Sequence, residues 1–339
     1  METHNHFITR QEGPSVMARQ TYEAWLPEDW DNTVWHSIRR TSVIEATARR
    51  IPMNSDTKSF PRSGDMTVDI VPKGTAYGED VSPNDEVVMV SKKFGRVVRI
   101  AEEDIDDTVI DLINGKKLDW ASAYAKHLDN ACLGTSAAPG AGVPFVSVYR
   151  AVTTAEAFTG YAANANHTVV TQAQISTIAA YDQMSRMLEI GEGSDYFDEG
   201  NAMILAHPSF KAVFRGVKDS TGVPVLTQGN AGTPDTLFGY SVRWSRGAKV
   251  SAVATSNPAV QNVAGAAGSA PKGTAGNPLM ILCDPNYLML GVRSGPESVV
   301  IPGRDGVSAL TDETLLKMRS RRAFMPAYPQ AFSVLERTV

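Results

Sequence analysis

The chain has 339 residues, 42% hydrophobic and 20% charged, a globular balance that excludes global disorder and allows one large domain or two ordinary ones. A net charge of -5 and a pI near 5.7 lack the basic signature of a dedicated nucleic-acid reader, and no apolar run approaches the roughly 18 residues that span a bilayer. The opening METHNHFITRQEGPS has neither the basic start nor the apolar stretch of a signal peptide, so a soluble chain made in the cytoplasm is expected, with Cys132 and Cys283 as reduced, buried thiols.

Residues 1–58 read as an arm. Val16, Tyr22, Trp25 and Leu26, then Val34, Trp35, Ile38 and Ser42, have helical spacing; Pro27 separates the two segments and Pro52 ends the second. Trp25, Trp30 and Trp35 all fall here, and large aromatics on segments too short to fold alone need a surface, on the same subunit or a neighbour. Next, Met66, Val68 and Ile70 alternate with Thr67 and Asp69, a strand pattern. VPKGTAYGEDVSPNDE is rich in turn formers, and 87–90 with 94–100 read as returning strand. The prediction for 59–100 is a long β-hairpin with a polar tip, which is marginal in water without an added surface.

Residues 101–132 predict the longest helix, with Ile105, Val109, Leu112, Trp120, Tyr124, Leu128 and Ala131 on its apolar side. Asp104, Asp106, Asp107 and Asp111 load its start, and Lys116, Lys117, Lys126 and His127 come later, an order that suits the macrodipole. It would be about 45 Å long, bent at Asn114-Gly115 and ended by Gly134. Residues 134–170 read as irregular and 174–189 as a helix closed by Gly191 and Gly193. Further along, 202–206 is a buried strand, His207-Pro208-Ser209 starts a short helix, 219–222 is a turn and 237–244 a strand. An Ala-, Gly- and Ser-rich loop covers 248–278, followed by strands at 279–283, 287–292, 314–318 and 331–335.

No chemistry-bearing motif stands out. GxSxG, Walker A, CxxC and HExxH are all missing, and Lys272-Gly273-Thr274 follows its glycines in the wrong order for a phosphate cradle. His4 and His6 lack a fixed third ligand, while His127 and His207 are lone histidines. Asp104, Asp106 and Asp107 read as dipole complements, and Arg319, Arg321 and Arg322 as a solvated or salt-bridged strand face rather than a DNA site. No catalytic, metal or cofactor residues are expected, which moves the reading towards a structural or binding role.

Four segments in order carry a resemblance: VRIAEEDIDDTVIDLI; HPSFKAVFRGVKDSTGVPVL with TLFGYSVRW; CDPNYLMLGVRSGPESVVI; and ETLLKMRSRRAFMPAYPQAFSVL. Over roughly residues 60–339 the chain resembles the major capsid proteins of tailed bacteriophages with the Hong Kong 97 fold. The second segment is similar to that family's helix, "kDs-G" turn and "LfGyPV" strand, with Ser241 standing where proline is usual. The resemblance implies an α+β fold with an N-arm (1–58), an E-loop hairpin (59–100) and a P-domain with a spine helix (101–170). It also implies an A-domain (171–305) and closing P-domain strands (306–339), the last of which could join the A-domain.

The function so implied is a non-enzymatic subunit that assembles into hexamers and pentamers of an icosahedral head around double-stranded DNA, contacted non-specifically. A separate scaffolding protein, a portal and a decoration protein are the other partners expected, with no membrane. The virion is the expected location, reached from the host cytoplasm. Inter-subunit contacts are expected from Lys73, Glu79, Asp80, Asp85 and Glu86 at the hairpin tip and from Lys92, Lys93 and Arg96 on its stem. Apolar contacts are expected from Tyr77, Val81 and the three arm tryptophans. The alternatives are an encapsulin-type compartment of the same fold and an uncharacterised hydrolase.

Overall fold

The computed structural model describes residues 41–63, 68–79, 84–107, 111–171, 179–216, 235–256, 276–302 and 312–338. The first element is a short helix, α1 (Val43–Thr47), capped by the Ser42 side chain, which accepts from Glu45 N. It leads into strand β1 (Arg49–Pro52). Residues 41–53 were expected in the arm but are part of the body: Ile44 is fully buried, and Ile51 and Met53 nearly so. The reason is non-local, since Asp129 grips the start of α1 and β1 pairs in parallel with a strand some 240 residues later.

Strands β2 (Thr57–Ser63) and β3 (Asn84–Val90) form an antiparallel pair, Thr57 opposite Val90 and Ser63 opposite Asn84. The strand expected at 66–70 differs. Val68 and Ile70 lie outside any strand, and Met66 and Thr67 lie outside the described residues. Their alternation had suggested a half-buried strand, yet both described apolar side chains face solvent. Strand β4 (Lys92–Ala101) is a second departure, because it leaves the hairpin and pairs with β11 (Glu313–Pro326).

The expected single helix is two: α2 (Glu102–Asp107) and α3 (Leu112–Leu133). Asp111 is outside both helices, and its carboxylate caps α3 through Asn114 N at 3.0 Å; Asn114-Gly115 is inside the helix. Only the second half of α3 is core, with Tyr124, Leu128 and Ala131 buried in the predicted order. Gly134 ends α3, and here glycine is needed for close approach: a Cβ would sit 1.9 Å from the Lys249 carbonyl oxygen. Gly134→Ala is therefore expected to cost about 1–3 kcal/mol, read as a lower urea midpoint of the unassembled subunit. An unchanged midpoint would contradict this packing.

The remaining elements build two larger sheets. Helix α4 (Val148–Thr153) lies in the stretch expected to be irregular, capped by Ser147, and β5 (His167–Thr171) follows it. Next come α5 (Ala179–Glu192), β6 (Met203–Ala206), α6 (Phe210–Gly216), β7 (Thr236–Leu237) and β8 (Tyr240–Trp244). The turn expected at 219–222 lies outside the described residues. Strands β9 (Leu279–Cys283), β10 (Leu288–Ile301) and β12 (Phe332–Thr338) complete the set. One sheet has the order β1-β10-β11-β4 and the other β5-β12-β9-β6-β8-β7. The last strand thus joins the six-stranded sheet, and 288–301 lies in the four-stranded one.

All five residues of β9 are buried, because the sheet is covered on both faces. Leu279, Ile281 and Cys283 face α3 and α4, while Met280 and Leu282 meet Met184, Met187 and Phe210 of α5 and α6. This accounts for the unbroken apolar run. Cys132 and Cys283 are free thiols in this core.

Candidate assembly surfaces

The hairpin is fixed to the body at its base. Arg62, on β2, is 8% exposed and sits between Asp85 (2.5 Å) and Glu156 (2.8 Å). Its guanidinium donates to the Ala327 carbonyl (3.3 Å) and lies against the rings of Phe158 and Tyr328. Met89, Phe60 and Val87 add an apolar base against Ile51, Met53 and Met325.

Beyond that base the chain loses support. Among 68–79 the backbone hydrogen bond found is Thr75 N to Pro72 O, closing a turn with Gly74 at φ +87°. Val68, Ile70 and Tyr77 are 94%, 98% and 86% exposed. Three large apolar side chains are thus left open to solvent on one segment.

The predicted contact residues separate into groups. Lys73, Tyr77 and Glu79 are each exposed on the 68–79 loop, and Glu86 is exposed on β3. Asp80 and Val81 lie outside the described residues, as do Trp25, Trp30 and Trp35. Asp85 is engaged within its own chain by Arg62. Lys92, Lys93 and Arg96 are exposed but not on the hairpin stem: they belong to β4, opposite Arg322, Arg321 and Met318. The hydrophobic pattern could not show this, because the partner strand is more than 200 residues away.

The arginine cluster is largely salt-bridged. Arg319 pairs with Glu297, and Arg322, 5% exposed, pairs with Glu45 at 2.8 Å. Sequence reasoning missed Arg62 altogether, since its partners at 85, 156 and 327 leave no local signal. The hydrogen bond from Arg62 holds the Asp85 carboxyl below the usual range. A depressed carboxyl pKa contributes stability above its unfolded value of about 3.9, and that contribution is lost as the pH falls further. Acidification below about pH 4 is thus expected to loosen the stem from the body, read as faster amide exchange in 57–63. Arg62→Met should loosen it at neutral pH and abolish this acid step. A wild-type pH profile in the variant would contradict the anchor.

Among the described residues no group of three or more His, Cys, Asp or Glu could hold a metal, and no helix is long and apolar enough to cross a membrane. The four- and six-stranded sheets, the long helix α3 and the exposed loop 68–79 make an α+β fold of the Hong Kong 97 type. The chain belongs to the phage capsid family, whose sequence profile matches residues 24–336, and its function is that of a major capsid protein.

Its structure is similar to a chain from Mycobacterium phage Ogopogo (13% identity, TM-score 0.68, 95% of this chain and 100% of that one). It is also similar to one from Microbacterium phage Oxtober96 (15%, 0.66, 93% and 97%). A third similar structure is a chain of the capsid of a native GTA particle (15%, 0.67, 93% and 96%). No curated protein matches the chain.

Proposed function

We propose that the subunit assembles into hexamers and pentamers of a closed icosahedral head around double-stranded DNA, with no catalytic role, and that residues 68–79 become ordered on a neighbouring copy. The observation that carries this reading is the exposure of Val68, Ile70 and Tyr77 on a loop with almost no hydrogen bonds of its own. Burying such side chains is worth about 1.5–3 kcal/mol each, against roughly 0–1 kcal/mol for an exposed ion pair. Apolar contact therefore drives docking, and Lys73, Glu79, Asp80 and Glu86 set register. Head-to-tail contacts of this kind close into rings when the rotation allows.

In this reading the segment before residue 41, with Trp25, Trp30 and Trp35, is a second contact. The four-stranded sheet with α3 corresponds to the P-domain and the six-stranded sheet to the A-domain. A separate scaffolding protein, a portal and a decoration protein complete the head, which forms in the host cytoplasm. The test is light scattering and negative-stain microscopy of the full chain expressed with its scaffolding protein. Megadalton closed particles containing DNA after packaging are expected. Small oligomers would overturn the proposal, and particles filled with a cargo enzyme would favour a compartment instead.

A further inference from the structure

On the α5/α6 side of the six-stranded sheet, several cations lie together without a counter-charge among the described residues. Arg337 N donates to the Pro278 carbonyl at 3.0 Å, and Lys249 forms a β-bridge with Pro278. Residues level with one another across a sheet point to the same face, so both cationic side chains leave on one side, flanking Pro278. Arg337 is 3% exposed, with its guanidinium carbon 5.8 Å from the Phe210 ring, and Lys249 is 9% exposed. Neither side chain forms an ion pair among the described residues, and the buried Arg337 Nε has no hydrogen-bond partner among them. His207 adds a donor: its Nδ1 accepts from Ser209 N at 3.1 Å, which leaves the proton on Nε2.

The electrostatics agree. Burial, then the charges of Arg337 and Arg246, push the Lys249 ammonium pKa down. Burial and the same cations, with Lys249, push His207 down to about 3. Among the described residues no carboxylate enters either balance. The stretches 172–178 and 257–275, which flank these strands in sequence, contain no Asp or Glu. An uncompensated buried charge costs several kcal/mol, and an anion seated between Lys249 and Arg337 would offset that cost.

We propose that Arg337, Lys249, His207 and the exposed Arg246 form a binding site for a small phosphate-type oxyanion. The guanidinium fork suits two oxygens of a tetrahedral anion, with the ammonium and the imidazole N–H directed to the others. The low exposure of Arg337 and Lys249 favours a free ion over a polymer or a protein side chain.

The test is equilibrium dialysis of labelled inorganic phosphate against the full chain, as unassembled subunits and as shells, in chloride buffer. Saturable uptake is expected in both forms, displaced by sulfate. Lys249→Met and Arg246→Gln should each weaken it by about tenfold or more. Lys249→Met removes an unpaired buried charge and should stay folded, and Arg246 is exposed, so neither result reduces to misfolding. Lys317→Met, on the other sheet, should bind as wild type does. Displacement by a short oligonucleotide would assign the site to a nucleic-acid phosphate, and no displacement to free phosphate. Unsaturable uptake, unchanged binding by Lys249→Met, or uptake lost in shells because a carboxylate of a second copy fills the site would each overturn the proposal.

Discussion

Asp129→Ala is expected to destabilise the unassembled subunit by roughly 3–5 kcal/mol. Asp129 lies in the buried half of α3 and accepts from four donors: Ser42 Oγ (2.5 Å), Ser245 Oγ (2.6 Å), Val43 N (3.1 Å) and Ile44 N (3.2 Å). Two of these are the first free amides of α1 and another is its cap, so a single carboxylate fixes the start of the described chain to the spine helix and to the 245–249 loop. Burial raises the Asp129 carboxyl pKa, while the four donors favour its charged form. Alanine would strand all four donors away from water. An amide in place of the carboxylate keeps one acceptor oxygen, so Asp129→Asn should cost less, about 1–3 kcal/mol. Urea titration reads both, and proteolysis should find new cuts in 41–53 of the alanine variant. A change below about 0.5 kcal/mol in that variant would refute the latch.

Excising 68–79 and joining its ends by a short turn is expected to abolish closed shells while leaving the urea midpoint of the subunit unchanged. The segment contributes almost no internal hydrogen bonds, and Val68, Ile70 and Tyr77 are among its open side chains, so the body loses nothing it uses. A longer cut through residue 86 would be ambiguous, because it removes Asp85 and frees Arg62 at the base. Each lost inter-subunit contact would forgo about 1.5–3 kcal/mol per apolar side chain, summed over every contact in the shell. Electron microscopy should show subunits or open rings. Normal closed shells would remove the loop from the account of assembly.

Legibility in the sequence followed the range of the interactions. Tyr124, Leu128 and Ala131 keep helical spacing, and the second half of α3 is where they predict it. The apolar run 279–283 gave β9 directly, since a strand covered on both faces needs no alternation. Failures came where a distant partner decides. Residues 41–53 looked too short to fold because Asp129, a lone carboxylate in a helical pattern, gave no sign of four donors. Val68 and Ile70 alternate as a buried strand would, but in this chain nothing covers them. Residues 94–100 read as returning hairpin strand because only the register with 314–320 places them elsewhere. Lys249 and Arg337 each pair with Pro278, a neighbour of neither in sequence.

Hydrogen–deuterium exchange across 68–79, measured on dilute subunits and on closed shells, probes the main physical idea without any mutation. Amides there should exchange within seconds in the separate subunit and become strongly protected in the shell, while those of β9 stay protected in both. Equal protection of 68–79 in the two states would contradict the view that sister copies order this loop.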